Sequence, residues 1–149
     1  MNKQPIRNNL IIELHIPDFD VAKKFYSILG FKVILEHVPT ADKPGYLVMK
    51  LTTEMGETLL HFYGGNDLVY NQSYFKNYPK DTKRGYATSI TIPVPSADEF
   101  YNKVADTLKD HIIQPVMDKE DKEMKWRDFR MEDPFGFYLR FTELIDWGQ

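Results

Sequence analysis

With 149 residues, 42% of them apolar and 14% aromatic, the chain can bury a core as one domain or as two small modules sharing a surface, and disorder is not expected. Its net charge is −3 with both signs interspersed, and no basic stripe alternates with aromatics, so a nucleic-acid partner is not expected. No apolar run is long enough to span a bilayer, Met1-Asn2-Lys3-Gln4-Pro5 has no apolar stretch of signal-peptide type, and no cysteine is present for disulfides, thiol nucleophiles or thiolate metal sites. A soluble cytoplasmic protein with no membrane partner is the expectation.

Leu10, Ile12, Leu14 and Ile16 alternate with Asn9, Ile11, Glu13 and His15, which is strand periodicity with the first set directed at a helix. Asp18 is placed to cap a helix over about 19–29, with Val21, Ala22, Phe25, Ile28 and Leu29 as its apolar stripe and Gly30 as its stop. Strands are expected over about 31–37, 46–51 and 58–63, separated by the turn-forming stretches 39–45 and 53–56. The segment from Gly64 to Gly85 is polar, rich in Asn, Lys and Tyr, and only weakly periodic; it reads as an exposed linker, the alternative being a functional or partly helical loop that covers a ligand with Tyr46, Tyr63 and the aromatics from Tyr70 to Tyr78.

Tyr86 to Val94 reads as the next strand. Ser96 and Glu99 have capping-box spacing, and Phe100, Val104 and Leu108 define the buried face of a second helix. A strand over about 112–117, a charged turn over 118–125, and strands over 125–132 and 137–143 complete the chain, the last two joined by the turn Asp133-Pro134-Phe135-Gly136.

The second half repeats the first. Ile16-Pro17 leads into a helix carrying Phe25-Tyr26, and about 75 positions later Ile92-Pro93 leads into one carrying Phe100-Tyr101. The expected organisation is a single α+β domain of two β-α-β-β-β modules, over about 8–63 and 86–143, joined by the 64–85 linker.

Asp18 through Ala22 to Phe25-Tyr26, followed by Leu29-Gly30-Phe31, resembles the first-helix motif of the vicinal oxygen chelate superfamily. That group contains glyoxalases, extradiol dioxygenases, fosfomycin-resistance enzymes and bleomycin resistance proteins. Phe129, Met131, Asp133-Pro134 and Gly136, followed by an alternating strand, resemble its closing motif. The resemblance covers the chain from about Leu10 to Glu143. It implies eight strands in a curled sheet, a half-barrel around a cleft, and often a homodimer, sometimes with exchanged modules or N-terminal arms. It does not imply one activity, because this fold hosts lyases, dioxygenases, transferases and drug binders.

The metal-dependent members place one His, Glu or Gln on each of four strands. Carried onto this chain, the four positions fall on Ile11, His61, near Ser89, and Arg140. Only His61 is a competent ligand, and an arginine stays protonated and repels a cation. The resemblance is therefore closest to the bleomycin-resistance branch, to whose opening the segment Asn9–Phe31 is similar and whose members bind ligands without metal. A divalent metal held by Glu13, His15 and His61 is the alternative set.

Strand alternation puts Ile11, Glu13, His15, Leu59, His61 and Tyr63 of the first module on the cleft face, with Ser89, Thr91, Trp126, Asp128, Arg130, Tyr138, Arg140 and Thr142 of the second. Phe129, Met131, Phe137, Leu139 and Phe141 are the opposite, core-facing set. Arg140 needs a carboxylate partner, for which Glu13 and Asp128 are the candidates.

The expectation is a metal-independent binding protein for an antibiotic or other aromatic small molecule, a homodimer without cofactor. Its ligand-binding residues are Glu13, His15, His61, Tyr63, Trp126, Asp128, Arg130 and Arg140, with Trp126 and the tyrosines stacking on the ligand. The alternatives are a divalent-metal-dependent lyase or dioxygenase of the glyoxalase type, and a protein that keeps only its dimer. Metal-free acid–base chemistry would fall to His61 or Glu13, but no companion nucleophile is legible and the catalytic residues stay unassigned.

Overall fold

The computed structural model describes residues 10–146; the readings for Met1–Pro5, for Asn9 and for the first residues of module 1 lie outside these. The elements run β1 (Glu13–Ile16), α1 (Phe19–Ile28), β2 (Lys32–His37), β3 (Gly45–Thr53), β4 (Gly56–Gly64), β5 (Ser89–Pro93), α2 (Ala97–Val104), β6 (Ile112–Glu120), β7 (Lys125–Glu132) and β8 (Tyr138–Asp146). The duplication is therefore real: each module is β-α-β-β-β. The eight strands form two four-stranded sheets of the same order, β1-β4-β3-β2 and β5-β8-β7-β6. In each, the first strand runs parallel to the last and the remaining neighbours are antiparallel.

Local chemistry accounts for the helix starts. Asp18 Oδ1 accepts the Val21 N–H at 3.1 Å, and Ser96 Oγ accepts that of Glu99 at 3.2 Å, each satisfying a donor the first helical turn leaves open. Alternation then sorts the strands. Leu14, Ile16, Leu60 and Phe62 of the first sheet, and Ile90, Ile92, Phe129, Met131, Leu139 and Phe141 of the second, are at most 5% exposed and join one cluster. Burying each such side chain is worth roughly 1.5–3 kcal/mol, so the two modules share a core.

The modules are also tied by polar contacts. Tyr26 Oη, fully buried on α1, donates to Asp133 Oδ2 at 2.7 Å, and the Phe25 ring packs on His111 with centroids 4.9 Å apart. Asp133 Oδ1 additionally accepts the N–H groups of Phe135 at 2.9 Å and Phe137 at 2.8 Å, closing the expected turn, with Gly136 at φ +95°.

Several local expectations are corrected. Val21 is 39% exposed because the buried stripe of α1 runs through Phe19, Ala22, Phe25, Tyr26 and Leu29, which puts Val21 off the face. Leu10 and Ile11 are 70% and 55% exposed and lie ahead of β1, so the first strand starts at Glu13 and not at Leu10. The fifth strand begins at Ser89, not Tyr86, because Ala87 adopts φ +60° and the 83–88 stretch turns. β6 continues to Glu120, so the charged turn shrinks to residues 121–124, where Asp121 Oδ1 accepts from Glu123 N and Met124 N. The linker is not featureless: it holds 3-10 turns at Asp67–Asn71 and Phe75–Asn77.

Candidate functional site

The parallel pairing of β1 with β4 sets Glu13 beside His61 and His15 beside Tyr63. On the neighbouring β3, Tyr46 pairs with Tyr63 and so points to the same face. These side chains form one chain of hydrogen bonds. Tyr46 Oη donates to Glu13 Oε2 at 3.0 Å and lies 2.9 Å from His61 Nδ1, while His15 Nε2 lies 2.8 Å from Glu13 Oε1.

The single phenol proton assigns the rest. Because Tyr46 spends it on the Glu13 carboxylate, its oxygen accepts from His61, so Nδ1 of His61 carries the hydrogen. By the same logic Nε2 of His15 donates to Glu13, and its Nδ1 is buried without a protein partner. Burial, reinforced by the Glu13 hydrogen bond and charge, pushes the Tyr46 hydroxyl up to about 12, which keeps its proton in place at neutral pH. Tyr46 thus mediates between Glu13 and His61. Among the described residues no three His, Asp or Glu side chains gather as a metal-binding group. The set Glu13, His15 and His61 is spread along this chain.

The second sheet is wired differently. Asp128 is fully buried on β7 and receives Gln114 Nε2 at 3.0 Å, Arg130 Nε at 3.3 Å and Arg140 Nη2 at 3.2 Å. Arg130 and Arg140 sit directly opposite each other across β7 and β8, and Arg130 Nη1 also donates to Tyr138 Oη at 2.9 Å. The carboxylate partner of Arg140 is therefore Asp128, not Glu13. Trp126 Nε1 and Thr142 Oγ1 are buried without a partner.

A cavity of about 470 Å³ lies along the edge of β1, within the range of about 300–1,000 Å³ common for small-molecule sites. Glu13 and His15 line it from the sheet, Leu14, Val69 and Phe137 supply buried apolar surface, and the 64–85 linker with Tyr86, Thr88 and Ile12 forms the rest of the wall. The linker is anchored by specific contacts. Phe75 meets the His15 ring edge-on with centroids 4.9 Å apart, Arg84 Nη1 donates to the His15 carbonyl at 2.8 Å, and Tyr63 packs on His15 at 4.6 Å. Arg84 and Lys80 both lie over the Tyr70 ring, at 4.9 and 5.1 Å from its centroid. Two other hollows, of about 260 and 570 Å³, contain no aromatic side chain.

Of the residues expected at the ligand, the structure brings Glu13 and His15 to this cavity, with Tyr63 against His15 and His61 one hydrogen bond further through Tyr46. Trp126, Asp128, Arg130 and Arg140 do not line it; the last three form the separate network around Asp128. The wall also holds Arg84, Lys80 and Tyr86, none of them among the residues expected from the sequence. The signal was the linker's own composition: an ordered segment of this length that interleaves Tyr70, Tyr74, Phe75 and Tyr78 with Lys80, Lys83 and Arg84 is seldom mere connection.

No family model matches the sequence, and no curated protein matches it. Solved structures do match. A glyoxalase family protein from Enterococcus faecalis aligns over 92% of this chain and 98% of its own, at 18% identity and a TM-score of 0.61. A trypanothione-dependent glyoxalase I of Leishmania major aligns over 93% and 87%, at 24% identity and 0.56. A bleomycin-binding protein complexed with bleomycin aligns over 91% and 98%, at 16% identity and 0.50. An enzyme and a drug binder thus share this architecture, and the chain has the fold of the glyoxalase/bleomycin resistance/dioxygenase superfamily.

Proposed function

We propose that this protein binds a flat aromatic small molecule, an antibiotic or a compound of similar shape, without a resident metal. The observation that carries the reading is the aromatic-walled cavity of about 470 Å³ under the linker, with Glu13 and His15 at its sheet side. Aromatic walls with a few fixed polar groups suit a planar ligand. The donor chemistry supports a metal-free site: Tyr46 engages both Glu13 and His61, Ser89 is a poor ligand, and two guanidinium groups flank Asp128. The likeness to a protein solved with bleomycin accords with binding. The proposal includes a cytoplasmic homodimer, supported by the cysteine-free composition and by Val33, Ile34 and Leu35, 42–51% exposed on edge strand β2.

One observation favours the rival reading of a metal-dependent lyase or dioxygenase. The β1–β4 register places Glu13 directly beside His61, an acid and an imidazole on adjacent strands. Two measurements separate the readings. Protein purified without chelator is analysed for Zn, Ni, Mn and Fe, and a panel of aromatic compounds is screened by ligand-observed NMR against the wild type and Phe75→Ala. Binding that is indifferent to EDTA and weakened by Phe75→Ala is the expected result. A stoichiometric metal lost on His61→Ala, together with metal-dependent binding, would sink the proposal.

A further inference from the structure

Resting on the cavity reading above, we infer the ligand's charge: it is a planar aromatic carboxylate, and Arg84 seats its anionic group. Glu13, the carboxylate of the wall, is already engaged by Tyr46 at 3.0 Å and His15 at 2.8 Å. Lys83 is paired with Glu132 at 2.9 Å. Lys80 and Arg84 remain: among the described residues neither forms an ion pair with a carboxylate, and both lie over the one Tyr70 ring. Two cations on one aromatic ring, with no anion between them, make a site whose missing partner is negative.

Arg84 is the better anchor. It is half-buried, its Cζ lies 4.9 Å from the Tyr70 ring centroid, and Nη1 is held by the His15 carbonyl at 2.8 Å. The guanidinium is thereby oriented before any ligand arrives, with no carboxylate on its other donors, and a fork so fixed matches a planar carboxylate better than a point charge does. Phe75, Tyr78 and Tyr86 then supply the surface for the ring system. A cationic ligand would have to displace the partners of Glu13 and approach the two free cations.

The test uses three probes of one shape: 2-naphthoate, the neutral 2-naphthamide and the cationic 2-naphthylmethylammonium. Their dissociation constants are measured by equilibrium dialysis on the wild type, Arg84→Gln, Arg84→Lys and Phe75→Ala. The wild type is expected to bind the acid about tenfold or more tightly than the amide, the size of one charge-assisted hydrogen bond. Arg84→Gln is expected to erase that preference while amide binding persists, Arg84→Lys to retain part of it, and Phe75→Ala to weaken acid and amide alike. Because Arg84 also holds the His15 carbonyl, folding of each variant is checked by its Tm, and Lys80→Gln gives a second readout through a several-fold loss for the acid alone. Equal binding of acid and amide, or a preference that survives Arg84→Gln, overturns the anionic assignment and leaves the aromatic cavity standing. Preference for the ammonium probe overturns it in favour of Glu13 as anchor. Failure of all three probes to bind removes the cavity reading itself, and the assignment with it.

Discussion

Replacing Asp128 with Asn removes the only carboxylate that the described residues offer to two arginines. Asp128 is fully buried, and the Arg130 and Arg140 side chains are 23% and 26% exposed, opposite each other across β7 and β8. Removing one partner of a buried ion pair costs about 3–5 kcal/mol. Here the arginines keep about a quarter of their surface in water and Asn keeps one acceptor oxygen, which lowers the expected loss to about 2–4 kcal/mol. At this chain length that is a fall in Tm of about 5–15 °C. Urea unfolding followed by circular dichroism measures it, with an unchanged m-value showing that the unfolding transition itself is the same.

A double-mutant cycle then tests the assignment of partners. Asp128→Asn combined with Arg140→Met should lose about 1–3 kcal/mol less than the sum of the single variants, because the second change discharges the group left stranded by the first. Glu13→Gln combined with Arg140→Met should be additive, since Glu13 is satisfied by Tyr46 and His15. Asp128 is not the stabilising partner of Arg140 if Asp128→Asn costs under about 0.5 kcal/mol, or if the coupling appears with Glu13 and not with Asp128.

Tyr26→Phe removes the buried hydrogen bond to Asp133 and should cost about 1.5–3 kcal/mol in the same urea assay; a change near zero would show that the bond does not tie the modules. Burial holds the Asp133 carboxyl above its ordinary range, against the lowering effect of Tyr26 and the turn N–H groups. The folded state thus binds the proton more tightly than the unfolded one, and stability should fall as pH rises from about 4 through the raised value; Asp133→Asn should flatten that part of a Tm–pH profile. Tyr46→Phe should release His61 from its Nδ1–H tautomer, seen as a shift toward the Nε2–H form in ¹H–¹⁵N spectra, and should remove one tyrosine that titrates at about 12. Gly85→Ala would drive a Cβ into the Gly136 carbonyl and to 2.6 Å from Phe137 Cα, both backbone. The linker must then move, at about 1–3 kcal/mol, and residues 70–84 should become more susceptible to limited proteolysis.

What could be read from sequence was what local physics decides. The caps at Asp18 and Ser96, the Asp133-Pro134-Phe135-Gly136 turn and the period-2 core of β7 and β8 each depend on a few neighbouring residues, and each is present. Tyr26 was not legible as a buried residue, because its place depends on Asp133, 107 positions away. The partner of Arg140 was undecided between Glu13 and Asp128 by composition alone. The sheet decides it, since Asp128 shares a face with Arg140 on the adjacent strand while Glu13 belongs to the other sheet. The linker defeated periodicity because its order comes from contacts such as Phe75 on His15 and Arg84 on Tyr70, not from a repeating pattern.

The duplication itself yields one further step. Ile16 and Ile92 mark equivalent positions, so the β1–β4 pair Glu13/His61 corresponds to the β5–β8 pair Ser89/Tyr138, and His15/Tyr63 corresponds to Thr91/Arg140. By this internal repeat Arg140 takes the position of Tyr63 and not that of His61, and Glu13, not Ile11, takes that of Ser89. The two copies therefore differ in kind at matched positions. Where one copy carries an acid, two imidazoles and an aromatic ring, the other carries two hydroxyl side chains, a phenol and a guanidinium. The cavity lies along the edge of β1, where the linker contributes groups that neither copy of the repeat contains.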